Sequence, residues 1–325
     1  MKLAGISLAS LAVSAALAFA SSPAPAQPYP NKPIRLIVPF PPGGVTDATA
    51  RILAQALSDG PGWQVVIENR TGATGRIGTE LAAKAAPDGY TLLLGTAAPN
   101  AILPGAYPKL AYDAVKDFAP ISLLNVSDYV LVVHPSLPVK SPKDLIGIAR
   151  SRPGQIPFAS AGILSVAHLA AELFKQSAKI DLVHVAYKGG GPAVIATMGG
   201  ETALYFGDGA GVINHVKAGK LRAIGTTGAK RSKAFSDLPA IAETLPGYEI
   251  IQWVGVLAPA GTPREIVSSV HATFVKVLGT PKVTQHFAAV GFEFVGSSPQ
   301  EFAAHIKAEI AKWGKVVKAA NIPLE

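Results

Sequence analysis

The sequence predicts an α/β fold built from two lobes, and three observations lead to this prediction. Short apolar strands alternate with amphipathic helices, which favours a parallel sheet covered by helices on both faces. About 300 residues follow an N-terminal export segment, more than one compact core usually accommodates. The strand-helix plan starts again after residue 130 and returns to the first lobe near residue 254. We therefore expect lobe 1 at residues 27–130 and 254–325, lobe 2 at residues 131–253, and a two-strand hinge.

The first 26 residues have the composition of a secretory signal peptide. Lys2 is followed by an apolar run from Leu3 to Ala20 and then by small residues ending in Ala24-Pro25-Ala26. This order predicts cleavage near Ala26, with Ala20 as the alternative position. An uncleaved membrane anchor is the other interpretation, but the apolar run is short and broken by serines. We therefore expect an exported protein that lacks this segment.

Charge and cysteine content exclude several functions. The 325-residue chain has a formal net charge of +8 and no cysteine, so it has neither a disulfide nor a cysteine-linked lipid anchor. Its basic residues are scattered, and the densest cluster, Lys230-Arg231-Lys233, contains no aromatic residue. A nucleic-acid partner is therefore not expected. A positive field would instead gather small anions from solution.

The first unit is a strand, a Pro-Gly-Gly turn and a helix. Ile34–Val38 has the pattern of a buried strand, Thr46 that of an N-cap, and Ile52–Leu57 that of a helical face closed by Gly60. The turn at Pro42-Gly43-Gly44 directs backbone N–H groups to the space in front of the helix. The same unit continues with a strand at Val65–Ile67, a helix containing Ile77 and Leu81, and a strand at Thr91–Leu94 that breaks at Gly95-Thr96.

The second half repeats this plan without repeating the sequence. Its predicted strands lie at Ser127–Val133, Ile156–Ala159, Leu182–Val185, Thr202–Phe206, Leu221–Thr226 and Ile250–Leu257. Helices are predicted after Ser141-Pro142, after Ser165, at Pro192, and from Pro263 and Pro299 onward.

Four glycine-containing turns follow these strands and form a candidate anion site. Glycine permits positive φ and close backbone approach, and a helix N-terminus adds a partial positive charge. Because ligands of open α/β sheets bind beyond the carboxyl ends of the strands, turns from both lobes are expected to face one cleft. The alternative is that the glycines only make tight strand-to-helix connections. The four turns are Gly43-Gly44 with Thr46, Gly95-Thr96, Ser160-Gly162-Ser165 and Gly189-Gly190.

Several side chains near these turns are candidate ligand contacts. Asp47 is either an acceptor for a ligand or an acid at the start of a helix, and the sequence leaves both interpretations open. His168 is either a ligand donor or a neutral capping histidine, whereas His184 is expected to face solvent. Asp208 is a possible acceptor at a strand end. The remaining predicted contacts are Phe40, Pro42, Asn100, Ile163, Leu164, Tyr187 and Trp253.

Enzyme signatures are mostly missing. The Gly72-x-x-Gly75-x-x-Gly78 run is not the dinucleotide pattern, and there is no Walker lysine, nucleophile elbow or histidine pair at metal spacing. A secreted serine hydrolase that uses Ser165 and His168, with Asp208 as third member, is the alternative function. A serine and a histidine three residues apart at one helix start are poorly placed for that role. We therefore expect no enzymatic activity, cofactor or metal site.

Seven motifs lie along nearly the whole mature chain: Tyr29–Gly44, Glu68-Asn69-Arg70, Pro87–Leu92, Val115–Phe118, His168–Leu173, Tyr187–Pro192 and Leu257–Pro263. Together they closely resemble those of the Bug-type (TctC-like) extracytoplasmic solute receptors of tripartite tricarboxylate transporters. This resemblance implies a type II periplasmic binding fold that closes on a small carboxylate, held largely by backbone groups of both lobes and ordered water. It also implies a periplasmic monomer that serves membrane transport subunits or a sensor.

Three departures from the family pattern bear on the ligand. Ile163 and Leu164 occupy the middle of the second-lobe turn, with Leu164 in place of a glycine. Ala97–Asn100 replaces polar residues and a histidine, and Gly207-Asp208 replaces an Asp-Asn pair. A more apolar pocket predicts a monocarboxylate or aromatic acid in preference to citrate or a dicarboxylic amino acid. We expect the first turn to fix the carboxylate and the Ser160–His168 turn to select the rest of the molecule.

Overall fold

The computed structural model describes residues 29–43, 45–289, 291–322 and 324. The predicted signal peptide and Gly44 therefore lie outside the described residues. The chain divides into two compact units, Met1–Asn31 and Lys32–Glu325. All helices and strands of the described residues belong to the second unit. None of these helices is both long and apolar enough to cross a membrane.

Strands and helices alternate through the first part of the second unit. A three-residue 3₁₀ turn, Ala73–Gly75, precedes the second helix, and a π-helical segment, Ala98–Ile102, follows the third strand. The remaining elements are β1 (Ile34–Val38), α1 (Val45–Asp59), β2 (Val65–Asn69), α2 (Arg76–Ala83), β3 (Thr91–Thr96) and α3 (Leu103–Ala106).

The alternation continues to the C-terminus, with a 3₁₀ turn at Ile241–Glu243. The strands are β4 (Phe118–Val133), β5 (Pro157–Ser160), β6 (Val183–Ala186), β7 (Leu204–Asp208), β8 (Arg222–Thr226), β9 (Ile251–Pro259) and β10 (Glu293–Phe294). The helices are α4 (Pro142–Ser151), α5 (Val166–Ala178), α6 (Gly190–Met198), α7 (Gly209–Lys217), α8 (Arg264–Leu278), α9 (Pro281–Ala289) and α10 (Pro299–Ala319).

The strands form one sheet in the order β2-β1-β3-β9-β4-β7-β5-β6, with β8 and β10 also paired to β4. Strand β1 is parallel to β2 and β3, and β5 is parallel to β6 and β7. Between these parallel sets, β4 pairs antiparallel with β9 over Phe118–Asp128, with β7 over Tyr129–Val133 and with β8 over Val130–Val133. Strand β4 therefore joins the two parallel sets, to the first through β9 and to the second through β7. It changes partners next to the predicted hinge position at residue 130.

Strand β4 is longer than the stretch Ser127–Val133 that the sequence predicts. Its first half contains Pro120 and buried polar residues, which interrupt the apolar pattern of a strand. The pairing to β9 shifts register between Pro120 and Ser122 and again between Leu123 and Asn125. Such irregularities let a strand include a proline and polar side chains.

The C-terminal helix α10 completes the core behind β9. Phe302, Ile306 and Trp313 on this helix are buried. The Trp253 ring of β9 packs edge-on against Phe302, with ring centroids 5.6 Å apart. The helix also contacts α3 closely, because a methyl group placed on Gly105 would lie 2.6 Å from the backbone oxygen of Ile310. This packing holds the π-helical segment, which follows the carboxyl end of β3.

Candidate functional site

Three of the four predicted turns follow strand ends, at β1, β5 and β6. The prediction that the third strand breaks at Gly95-Thr96 was wrong, because both residues belong to β3 and pair with β9. Since β1 is parallel to β3, and β5 is parallel to β6 and β7, the carboxyl ends within each set share one edge. Gly43, Gly162 and Gly189 have φ values of 84°, 123° and 111°, which is the region that side chains with a Cβ disfavour. Glycine is therefore required at three of the four turns by the backbone itself.

The β1–α1 turn is held together by the Asp47 carboxylate. The Gly43 N–H donates to its Oδ2 at 3.0 Å, and the Arg51 Nε donates to the same oxygen at 2.8 Å. The Asn69 Nδ2 donates both to Asp47 Oδ1 at 3.1 Å and to the Phe40 carbonyl at 3.0 Å. Burial alone would raise the pKa of Asp47, but these hydrogen bonds hold it below its usual value.

These contacts bear on three predictions for the first turn. Asp47 has both oxygens engaged within the protein, which agrees with its interpretation as an acid at a helix start. Helix α1 begins at Val45, so Thr46 lies in the first helical turn and its assignment as N-cap was wrong. Phe40 is half-buried and Pro42 is exposed. Since Asp47 accepts the Gly43 N–H, this turn already contains a carboxylate that belongs to the protein.

The turn after β3 is closed in a similar way by Asn100. Its Oδ1 accepts the Thr96 N–H at 3.1 Å, and both residues are buried. The Thr96 Oγ1 and the Asn100 Nδ2 are buried and have no hydrogen-bond partner among the described residues. An unsatisfied buried group costs about 1–3 kcal/mol. These two atoms are therefore candidates for contact with a ligand or with water.

Strands β4 and β9 carry a row of buried polar side chains that the sequence pattern did not predict as part of the site. Ser127 pairs with Gln252, and Asn125 pairs with Val254. The Asn125 Oδ1, Ser127 Oγ and Gln252 Oε1 have no hydrogen-bond partner in the described part of the chain. Buried polar atoms in native proteins are normally paired with protein, water or ligand atoms. Polar residues inside an otherwise apolar strand pattern are the signal that would have found this row.

The β5–α5 turn satisfies its own donors. The Ser160 Oγ accepts the Gly162 N–H at 3.1 Å, and the Leu164 N–H donates to the Nδ1 of His168 at 3.1 Å. Ser165 is the N-cap of α5, since its Oγ accepts the backbone N–H of His168 at 3.2 Å. The His168 Nε2 lies 3.9 Å from the Glu172 Oε1. Both ring nitrogens of His168 are thus directed away from Ser165.

His168 and His184 stack face to face, with ring centroids 3.9 Å apart, and His184 stacks on Phe158 at 4.9 Å. The His184 Nε2 is also 2.6 Å from the Ser160 Oγ. The expectation that His184 faces solvent was therefore wrong, because the strand turns this ring toward the α5 turn. Burial, with smaller effects from His184 and Lys175, lowers the pKa of His168 to about 3. Burial and Lys175 lower the pKa of His184 to about 4.

The two apolar residues of this turn have different environments. Leu164 has a left-handed backbone with φ of 58°, in the position where the family resemblance places a glycine. Its side chain is only 1% exposed and belongs to the hydrophobic core. Ile163 is 40% exposed. Of the two apolar residues in this turn, Ile163 alone is accessible.

The β6–α6 turn lacks the kind of side-chain cap that Ser165 provides for α5 and Asp208 for α7. Gly189 is the N-cap of α6 and donates its own N–H to the Ala161 carbonyl at 3.2 Å. The N–H of Gly190 makes no hydrogen bond to another described residue. The Tyr187 hydroxyl donates to the Glu201 Oε2 at 3.2 Å and is engaged within the protein.

The last predicted contacts are Asp208 and Trp253. Asp208 is the N-cap of α7, and its Oδ1 accepts the Gly211 N–H at 2.7 Å. Burial raises the pKa of the Asp208 carboxyl, and the hydrogen bond from Gly211 opposes this shift. Trp253 is fully buried against Phe302 and His305, and its Nε1 has no partner among the described residues.

Solved structures that share this arrangement are periplasmic binding proteins. The structure described as "R. palustris Rpa4515 with adipate" has a TM-score of 0.85 and 39% sequence identity, and the match covers 90% of this chain and 99% of that one. The periplasmic binding protein BugD has a TM-score of 0.82 and 30% identity, with coverage of 91% and 100%. The predicted α/β fold of the periplasmic binding class is therefore confirmed.

The sequence comparisons identify the family. Protein BugT of Bordetella pertussis is 38% identical over 320 residues, which is 98% of this chain and 98% of the relative. The sequence model of the tripartite tricarboxylate transporter family receptor matches residues 49–322. The chain belongs to this receptor family, whose members are periplasmic solute-binding receptors, and the resemblance seen in the sequence is confirmed.

Proposed function

We propose that the protein is a periplasmic receptor that captures a small organic carboxylate between two lobes, residues 27–130 with 254–325 and residues 131–253. The observation that carries the proposal is the glycine-lined edge at the strand ends, in a chain that is 39% identical to a protein solved with adipate. Strands β4 and β9 connect the two parallel sets and are the natural hinge. The ligand lies in the cleft that these sets form.

The protein reaches the periplasm through its signal peptide, which we propose is cleaved near Ala26. It acts as a monomer without cofactor or metal. It delivers its ligand to membrane subunits of a tripartite transporter or to a sensor. No part of this role involves a nucleic acid.

An apolar acid is the proposed ligand class. Ile163 is exposed at the second turn, and an apolar side chain there disfavours a ligand with charge along its whole length. Leu164 does not contribute to this preference, since it is buried in the core. A ligand with an apolar chain between or behind its carboxylates fits, and citrate does not.

The hydrolase alternative is disfavoured by the geometry of its two central residues. A nucleophilic serine needs a ring nitrogen of the histidine within hydrogen-bond reach. Here the Ser165 Oγ accepts a backbone N–H, and the His168 Nδ1 accepts the N–H of Leu164. The receptor function requires no such pairing.

Thermal-shift and calorimetric screening of the mature chain tests the proposal. The panel is adipate, hexanoate, benzoate, malate and citrate. A ligand at a concentration of about 100 Kd stabilises the folded protein by about 2.7 kcal/mol, so a true ligand raises Tm clearly. We expect adipate, hexanoate or benzoate to bind. Tight citrate binding without any response to the aliphatic and aromatic acids contradicts the apolar preference, and no response to any acid contradicts the receptor function.

A further inference from the structure

The helices that begin at the strand ends differ in whether an oxygen atom already occupies their N-termini. Helix α1 has the Asp47 carboxylate, α5 has the Ser165 hydroxyl, and α7 has the Asp208 carboxylate. Each oxygen accepts a backbone N–H of its turn. Helix α6 begins with Gly189 and Gly190 and has no side-chain acceptor. A free helix N-terminus of this kind attracts an anion.

Tyr205 supplies a second, independent feature at the same place. Its side chain is 2% exposed, and its ring lies across Gly207, where an added methyl group would be 2.8 Å from the Tyr205 Cε1. A methyl group placed on Gly190 would lie 3.1 Å from the Tyr205 hydroxyl oxygen. This hydroxyl makes no hydrogen bond to another described residue. A buried phenol group normally has a partner.

The charges near the Tyr205 hydroxyl determine which kind of ligand group it can bind. Burial, together with the Asp208 carboxyl, raises the pKa of Tyr205, so the phenol keeps its proton and is a donor. Burial also raises the pKa of Tyr129, which is influenced by both Asp208 and Tyr205. The Asp208 charge opposes a bound anion, but its Oδ1 is occupied by the Gly211 N–H. The Tyr205 hydroxyl and the Gly190 N–H remain as donors.

We propose that a carboxylate of the ligand lies at the N-terminus of α6, where it accepts hydrogen bonds from the Tyr205 hydroxyl and the Gly190 N–H. Tyr205 is thus a specificity-determining residue that selects acids over their neutral amides. This inference rests on the proposed receptor function. It assigns carboxylate recognition to the parallel set of β5, β6 and β7, which we call the second set. It replaces the expectation that the β1–α1 turn fixes the carboxylate.

The substitution Tyr205→Phe tests this assignment with the smallest change. The ring keeps its place over Gly207 and only the donor is lost. A hydrogen bond to a charged group contributes about 1.5–3 kcal/mol, so we expect Kd for the acid to rise about 10- to 100-fold. Kd for the corresponding amide, in which every carboxylate is replaced, should change by less than about 3-fold. The probe is whichever acid of the panel above raises Tm most.

The matched control is Tyr248→Phe. This substitution removes another buried phenol hydroxyl, which donates to the Ala170 carbonyl at 2.9 Å. We expect it to lower Tm and to leave Kd unchanged. Circular dichroism and thermal melts establish that each variant is folded. The control separates loss of a buried hydroxyl from loss of a ligand contact.

A second variant approaches the same site from the helix. Gly190 has no positive φ, so Gly190→Ala leaves the backbone unstrained and places a methyl group 3.1 Å from the Tyr205 hydroxyl oxygen. We expect a rise in Kd for the acid that is smaller in a Tyr205→Phe background, because the hydroxyl is then absent. Gly147→Ala, where the added methyl group meets nothing within 4 Å, is the control.

The outcomes separate this inference from the proposed function. If the wild-type chain binds an acid and Tyr205→Phe binds it equally well, the assignment of Tyr205 is wrong and the receptor function stands. If Tyr205→Phe weakens acid and amide alike, the residue does not select for charge and the inference is overturned. If the wild-type chain binds no acid, both the receptor function and this inference are contradicted.

Discussion

At the scale of single residues, Asp47 organises the first turn. Its carboxylate accepts hydrogen bonds from Gly43, Arg51 and Asn69 and is almost fully buried. Asp47→Asn removes the charge but keeps the shape of the side chain. We expect the free energy of unfolding at pH 7 to fall by about 1–3 kcal/mol, because charge-assisted hydrogen bonds to a buried group are lost. Urea denaturation measures this change.

The same residue has a defined pH dependence. The pKa of Asp47 is lowered in the folded chain, so its contribution is complete above about pH 4 and is lost as the pH falls through the folded pKa. The difference between wild type and Asp47→Asn should therefore shrink toward pH 3. Asp59→Asn, at the exposed end of α1, is the control and should change stability by less than about 0.5 kcal/mol. A pH-independent difference would contradict this role.

The stacked histidines predict a second pH effect of different origin. The pKa values of His168 and His184 are lowered to about 3 and about 4, whereas an unfolded histidine titrates near about 6.5. Below about pH 6.5 the unfolded chain binds protons that the folded chain does not, so stability falls as the pH drops toward about 4. His184→Phe should reduce this slope. An NMR titration of wild type that shows the His184 imidazole protonating near pH 6.5 would refute the prediction.

At the scale of elements, the contact between α3 and α10 positions the π-helical segment that carries Asn100. A methyl group on Gly105 would lie 2.6 Å from the Ile310 carbonyl oxygen and 2.8 Å from the Gly314 nitrogen. Both are backbone atoms and cannot turn away. We expect Gly105→Ala to destabilise the protein by about 1–3 kcal/mol, the usual effect of overpacking. Chemical denaturation tests this prediction.

The control for this contact is another helical glycine with free space around it. Gly147 in α4 has no atom within 4 Å of an added methyl group. Gly147→Ala should be neutral or stabilising by up to about 1 kcal/mol, since alanine is the better helix former. Equal effects of the two substitutions would mean that helix propensity, not the close approach of α3 and α10, dominates at Gly105.

Most elements were predictable because their signals are local. Strand β1 and helix α1 follow from a buried apolar run and an amphipathic face, and observed bounds such as Arg222–Thr226 differ from prediction by one residue. The first half of β4 was missed because Pro120 breaks the apolar pattern. The π-helical segment was missed because its packing against α10 involves residues about 200 positions away in the sequence.

The candidate site was only partly predictable, since it depends on which donors are already satisfied. The sequence indicates glycine turns, but it does not show that Gly43 donates to Asp47 or that Leu164 points into the core. Tyr205 was missed because its strand looks like an ordinary core strand. A tyrosine two residues before Gly207, at a strand end, is the available signal. Ligand contact by the predicted residues stays a prediction.

At the scale of the whole molecule, the change of partners within β4 predicts a hinge. The strand pairs with β9 up to Asp128, with β7 from Tyr129 onward and with β8 from Val130 onward. The chain returns beside it, since the Ile250 N–H donates to the Thr227 carbonyl, and Thr227 donates to the carbonyl of Tyr129. Two neighbouring connections allow rotation about one axis. Binding in the cleft would then bring the two sets together.

Distance measurements between two spin labels test this closure, and the chain is suited to them because it has no native cysteine. Arg76→Cys and Lys188→Cys place labels on exposed positions of the two sets. We expect the distance distribution between them to shift to shorter values when a binding acid is added. Labels at Lys188→Cys and Lys217→Cys, both in the second set, should show no shift. An unchanged distance for the first pair, under conditions where calorimetry shows binding, would mean that the ligand is held without closure.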